Sequence, residues 1–249
     1  MYRFQSALDS TEAIIRDHPE DPAAKNDSRP HFSEVLRREQ IPHLSFTQVT
    51  TVESCEYRYY LQYVRGIEPD PTPEYFTKGK LLHEAIAGAY EHLCVQKEPE
   101  PEVYYAHLRK HYRGASLHHL ENALEVALQN LWQDEAVRAV EHAFVMVLDE
   151  DLPPFVGVID LVLENGDALY LVDHKTGGRF YEPDIMQMAL YSEYAQRRFN
   201  PTRIHAYYDQ YRWVENLARI RKPAFQRFEV PLSRQLLQRG LGRVGTAWE

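Results

Sequence analysis

Apolar residues alternate with polar ones, or run unbroken for short stretches, in "AFVMVLDE", "FVGVIDLVLE" and "ALYLVDHK", so three successive strands are expected there. Glu164-Asn165-Gly166-Asp167 supplies a hairpin turn between Phe155 to Leu163 and Ala168 to Val172. Upstream the period lengthens to that of a helix. From Lys78 to about Val95, Leu82, Ile86, Ala89 and Leu93 share one side, with His83 near the start. A second helical block, from about Val103 to Val140 and interrupted near Gly114, predicts a small lobe. Beyond Gly177-Gly178, "EPDIMQMALYSEYAQRRF" reads as a helix, "RIHAYYDQYRW" and "AFQRFEVPL" as strands, and "SRQLLQRGLGRVGTAW" as a last helix. This order makes an α/β chain.

The first forty residues are polar and charged, and a short helix followed by a loose linker, "DHPEDPAAKNDSRP", is expected within 1–40. Residues 41–249 then form a single domain, with the helical lobe at about 96–140. In "LSFTQVTTVESCEYRYYLQYVRGI", Ser45 or Thr47 caps a helix whose aromatic face, Tyr57, Tyr60 and Tyr63 or their neighbours, is expected in the core rather than as a base-stacking platform. "PDPTPEY" breaks the chain again.

At 249 residues and 44% hydrophobic content the chain can bury a sizeable core. No run approaches the roughly 18 apolar residues of a membrane span, and the N-terminus has no apolar signal region. A cytoplasmic protein without membrane contact is therefore expected. With only Cys55 and Cys94 there is neither a disulfide framework nor a four-cysteine metal site. The formal charge of −9 argues against nucleic-acid binding by the whole surface, but from Thr176 onward 12 Lys+Arg outnumber 7 Asp+Glu. Arg197, Arg198, Arg203, Arg212, Arg219, Arg221 and Lys222 could present a basic face to phosphates, and they equally fit solvated surfaces.

Asp160, Asp173 and Lys175 interrupt segments otherwise built for a core. A carboxylate there carries a large desolvation cost unless it is paired or bound to a metal. Side chains alternate along a strand, so Asp173 and Lys175 point one way and His174 the other. Pairing across the turn brings Asp160 near Asp173. The simplest arrangement is a cation held by two carboxylates with the ammonium beside it. A buried ion pair between Lys175 and one aspartate accounts for an isolated Asp-x-Lys as well.

Taken in order, "CEYRYYLQYVRGI", "GKLLHEAI" with His83, "GVIDLVL" with Asp160, "VDHKTGG" with Asp173 and Lys175, and "QMALYSEY" with Gln187 and Tyr191 resemble the PD-(D/E)xK nuclease superfamily. The likeness is nearest to its RecB-type branch, which includes CRISPR adaptation nucleases and the nuclease domains of recombination helicase-nucleases. It spans Leu44 to about Phe199. The resemblance implies a restriction-endonuclease-like fold, a mixed β-sheet flanked by helices with a helical insertion lobe. It also implies a metal-dependent deoxyribonuclease, by preference an exonuclease, working on DNA in repair, recombination, phage or CRISPR processing, with a larger assembly of that kind as an expected partner.

The chemistry agrees, because hard Mg²⁺ or Mn²⁺ prefers oxygen ligands. Asp160 and Asp173 would supply carboxylates, the His174 backbone carbonyl a further oxygen, and His83 the nitrogen ligand that makes Mn²⁺ especially acceptable. Lys175 would orient the attacking water or stabilise the charged transition state. Gln187 and Tyr191 lie one helical turn apart and share a face; the resemblance implies a place near substrate for them, and plain packing on the sheet fits equally. Glu141, read as preceding the first strand, resembles a recurrent family acid and fits a surface acid equally. His118 and His119 face different ways and make a poor metal pair. Many RecB-type nucleases join their ends through an iron-sulfur cluster. Cys55 stands at the first ligand position, but no cysteine follows Cys94, so no cluster is expected in this chain. The competing class is a nuclease-fold DNA-binding or assembly subunit without turnover, which would need none of the acidic and lysine residues.

Overall fold

The computed structural model describes residues 11–16, 31–67, 74–149 and 151–249. The linker expected at 17–30 and most of the "PDPTPEY" break lie outside the described residues. Six strands make one sheet: β1 (Leu44–Ser45), β2 (Ala136–Met146), β3 (Phe155–Asn165), β4 (Ala168–Gly177), β5 (Arg203–Arg212) and β6 (Phe225–Glu229). The order is β1-β3-β4-β5-β6, with β2 also paired to β3. β2–β3, β3–β4 and β5–β6 are antiparallel, whereas β1–β3 and β4–β5 are parallel. Gly166 turns the β3–β4 hairpin at φ +62°, a conformation that costs glycine nothing.

Helices cover both faces, which explains why β3 and β4 read as nearly continuous apolar runs. On one face α4 (Glu74–Cys94), α5 (Pro101–His111) and α6 (Gly114–Gln129) place Leu82, Ile86, Leu120 and Leu124 in a core with Val140, Leu161, Leu163 and Val172. On the other, α2 (Phe46–Ser54), α7 (Met186–Phe199) and α8 (Arg234–Trp248) bring Val49, Met188, Leu190 and Leu236 against Ile159, Val162, Leu171 and Ala206. The result is the mixed, helix-flanked sheet of a restriction-endonuclease-like fold. Among the described residues no helix is long and apolar enough to cross a membrane.

Three details depart from the periodicity. The chain is helical and docked before residue 40: in α1 (Phe32–Arg38), Phe32 and Leu36 lie one turn apart and pack on Ala143, Val145 and Val156. The lobe's helices end at Gln129, and β2 starts at Ala136, inside the stretch that reads as helix. Finally, Ser45 caps α2 through a capping box with Gln48, as expected, but the aromatic face that follows is not core. α3 (Glu56–Tyr59) runs into a π-helical turn, Tyr60–Val64, whose wider pitch shifts the phase of the side chains. Tyr59 packs against the second core, while Tyr57, Tyr60 and Tyr63 remain 68%, 42% and 36% exposed.

Candidate active site

The β3–β4 ladder ends at Leu161 and Val172, and the next positions are Asp160 and Asp173. Beyond them β3 pairs with β1 at Phe155 and Val156, while β4 continues beside β5. The strands part, and the two carboxylates sit in the fork. Asp160 Oδ2 accepts the His174 backbone N–H at 2.7 Å, so a side chain takes over where the ladder stops.

Three further groups converge on Asp160. His83, carried on the sheet-facing side of α4, places Nδ1 3.6 Å from Asp160 Oδ2. Glu141 lies within β2, not ahead of it, and faces Asp160 between the pairs Val140–Leu161 and His142–Ile159. Its φ of +49° is strained for a residue with a β-carbon. Ligand atoms of His83, Glu141 and Asp160 all lie within 4.8 Å of one another. The His174 ring meets the His83 ring edge-on at 6.1 Å but takes its partners from the core, stacking on Tyr90 at 6.0 Å and lying 3.4 Å from the Tyr211 hydroxyl. Burial, then the charges of His83, Arg227 and Lys175, hold its pKa well below the usual value, so the imidazole stays neutral. Only its backbone carbonyl is left as the oxygen that sequence reasoning assigned.

Asp173 faces α7. Lys175 Nζ lies 2.7 Å from Asp173 Oδ2 and donates to Gln187 Oε1 at 3.2 Å. Gln187 Nε2 in turn donates to Asp173 Oδ1 at 3.0 Å and to the Tyr191 hydroxyl at 3.2 Å. Gln187 thus clamps both members of the Asp-x-Lys pair, and Tyr191 braces Gln187. Gly157 makes room: a β-carbon there would come within 2.5 Å of Phe144 and 2.9 Å of Tyr191. Tyr208, not anticipated from sequence, sits beside Asp173 in the β4–β5 register and lays its ring 5.3 Å from Lys175 Nζ.

The electrostatics are uncompensated. Burial and the neighbouring Asp173 charge push Asp160 up to about 6, against the pull of His83, Lys175 and the His174 N–H. Glu141 is pushed up to about 8, by desolvation and then by Asp160 and Asp173. Glu141 keeps solvent on its outer side, so the crowding of carboxylates is the sturdier cause. Burial disfavours the Lys175 ammonium, yet the charge of Asp173 beside it outweighs that cost and raises its pKa. Asp173 Oδ2 is buried and, despite the close ammonium, makes no aligned hydrogen bond among the described residues. Crowded oxygens and an imidazole suit a hard divalent cation.

The structure therefore brings together His83, Asp160, Asp173, Lys175, Gln187 and Tyr191, adds Glu141 and Tyr208, and turns the His174 ring away. Glu141 carried a signal, an acid interrupting "AVRAVEHAFVM", but nothing local fixed its register. Among curated proteins no match is found. The family model described as PD-(D/E)XK nuclease superfamily matches residues 43–243, a span that holds the whole strand fork and its flanking helices, and the chain belongs to that superfamily.

Proposed function

We propose that this protein is a metal-dependent deoxyribonuclease of the RecB-type branch that removes nucleotides from DNA ends. The observation that carries the reading is the strand fork: Asp160 and Asp173 adjoin where the ladder stops, with Lys175 on Asp173. Asp160, Asp173, His83 and Glu141, with the His174 carbonyl, would hold Mg²⁺ or Mn²⁺. Once bound, the cation would bear charge on the phosphate and acidify a water. Lys175, fixed by Asp173 and Gln187, orients that water or meets the charge that develops on the phosphate. Gln187 and Tyr191 set the position of both, so they act through Asp173 and Lys175. The preference for ends, and for repair, recombination, phage or CRISPR processing in a larger assembly, rests on the motif resemblance.

The test is cleavage of end-labelled single-stranded, duplex and covalently closed circular DNA with Mg²⁺ or Mn²⁺. Loss of linear substrate with circles intact is expected. Nicked circles would replace the exonuclease with an endonuclease, and binding without cleavage under either metal would favour the assembly subunit.

A further inference from the structure

We infer that Lys78, Trp213 and His119 form a clamp for a phosphate of the substrate strand other than the one cleaved; this rests on the nuclease reading above. Lys78 lies in the first half of α4 and is only 6% exposed. Among the described residues no carboxylate pairs with it. Its ammonium contacts the Trp213 ring, 4.8 Å from the centroid, and His119 Nδ1 at 3.5 Å. A ring face and an imidazole offset part of the desolvation of a buried ammonium, but they supply no counter-charge. A second anomaly adjoins it: Trp213 Nε1 is buried without a hydrogen-bond partner among the described residues, in a fold where such groups are rare.

The clamp contains donors only. With Nδ1 of His119 accepting from Lys78, the ring proton resides on Nε2, which donates as well. An ammonium, an indole N–H and an imidazole N–H match the oxygens of a phosphodiester and would repel a metal ion. Trp213 and His119 are half-buried as residues, so the buried donors lie beneath groups that themselves reach the surface.

Its place in the fold points to the substrate strand. A β-carbon on Gly79, next to Lys78, would lie 3.2 Å from Thr176 Oγ1, and the Trp213 backbone N–H donates to the Gly177 carbonyl at 2.8 Å. The two thus flank the residues that directly follow Lys175. At about 3.3 Å per residue, Thr176 and Gly177 stand within about 7 Å of Lys175 along β4, and Thr176 shares the face of His174, so the clamp borders the fork from the α4 side and would meet the strand one or two phosphates from the cleaved one. Asn122 Nδ2 fixes the seam by donating to the Val214 and Glu215 carbonyls at 2.8 and 3.0 Å.

The test measures binding of a single-stranded oligonucleotide to the full chain in Ca²⁺ over a salt series, for the parent, Lys78→Met and Trp213→Phe. Lys78→Met is expected to weaken binding about tenfold and to lower the salt slope by about one. One neutral methylphosphonate linkage, scanned along the oligonucleotide, should weaken the parent at one position and leave Lys78→Met unaffected there. Without DNA, the unfolding midpoint of Lys78→Met should be unchanged or higher, because an uncompensated charge is gone. Parental affinity and salt slope in Lys78→Met, or a lowered midpoint with unchanged binding by the folded fraction, would overturn the clamp. Should Lys78→Met fail to fold, Trp213→Phe, which keeps an aromatic ring and loses the N–H, must show the same position-specific loss, and parental binding by it overturns the proposal. A parent that binds with this linkage pattern yet cleaves nothing in Mg²⁺ or Mn²⁺ sinks the nuclease reading and supports the clamp.

Discussion

Two buried aspartates on neighbouring strands are held in opposite ways. Asp209 on β5 is fully buried and both its oxygens are satisfied, by Arg227 Nε at 2.7 Å, Arg227 Nη2 at 2.8 Å and Trp132 Nε1 at 3.1 Å. Arg227 also lies over the Trp132 ring at 3.8 Å, so the aspartate is fully enclosed while the guanidinium keeps an outer edge. Asp173 on β4 is 3% exposed and equally starved of water, but it shares its surroundings with Asp160 and Glu141 and has one unaligned oxygen. Each aspartate has a basic partner, so the presence of an ion pair does not distinguish them. Completeness does. The closed pair stabilises the β5–β6 edge, whereas the open cluster keeps its carboxylates crowded, the condition that the proposed cation would relieve.

Substitution should separate the two aspartates most widely. Asp173→Ala is expected to lower single-turnover cleavage by on the order of 10³-fold or more, through loss of the bound cation, with the metal-free fold intact. Asp209→Ala should do the reverse. It strands Arg227, and since that side chain keeps 30% exposure the cost should fall at the low end of the range for a broken buried pair, about 3 kcal/mol by denaturant unfolding. Cleavage per folded molecule should be unchanged. If Asp173→Ala unfolds while Asp209→Ala inactivates, the comparison is inverted.

Lys175→Ala sharpens the contrast within the site. A turnover loss of about 10²-fold is expected, with DNA affinity in Ca²⁺ nearly parental. A loss of stability without that drop in rate would make Lys175 a brace like Arg227. His83→Ala should raise the half-saturating Mn²⁺ concentration about tenfold, in the range seen when a metal site loses a supporting group, and alter the Mg²⁺ requirement less. A metal titration of activity decides it.

The smallest effect is on pH dependence. In the folded protein Asp160 and Glu141 are pushed up to about 6 and about 8, above the ordinary carboxylate range. Raised acids bind protons more tightly in the folded state, so metal-free stability contributed by them is greatest below pH 4 and falls as pH rises towards those folded values. Cation binding needs the deprotonated forms. The thermal shift produced by Mn²⁺ should therefore grow between pH 5 and pH 8. A shift that is flat across this window would remove the carboxylates from the metal site.

Much of this was legible in the chain because it is local. The β3–β4 hairpin follows from apolar runs around Glu164-Asn165-Gly166-Asp167, and strand alternation alone places Asp173 with Lys175 and away from His174. Pairing across the turn then brings in Asp160. Glu141 was not decidable, since its role depends on register with β3 and on a positive φ that interrupts the alternation of β2. The Asp209–Arg227 brace left no trace, as its partners come from strands joined by a loop with no pattern of its own. The exposure of Tyr57, Tyr60 and Tyr63 depends on the phase of a π-helical turn, which composition does not encode. Lys78 reads as one of two lysines in "TKGK", and the partners that set it apart, His119 and Trp213, are distant in the chain.

The central claim is that crowded carboxylates in the strand fork await a cation, and the most direct measurement is thermal unfolding of the parent and Asp173→Asn with and without Mn²⁺, with cleavage assayed on the same preparations. The account predicts that Mn²⁺ raises the parental midpoint, that metal-free Asp173→Asn unfolds at or above the metal-free parent because the repulsion on Asp160 is relieved, and that Mn²⁺ neither stabilises the variant nor restores cleavage. A destabilised Asp173→Asn that still responds to Mn²⁺ and still cleaves DNA would contradict it.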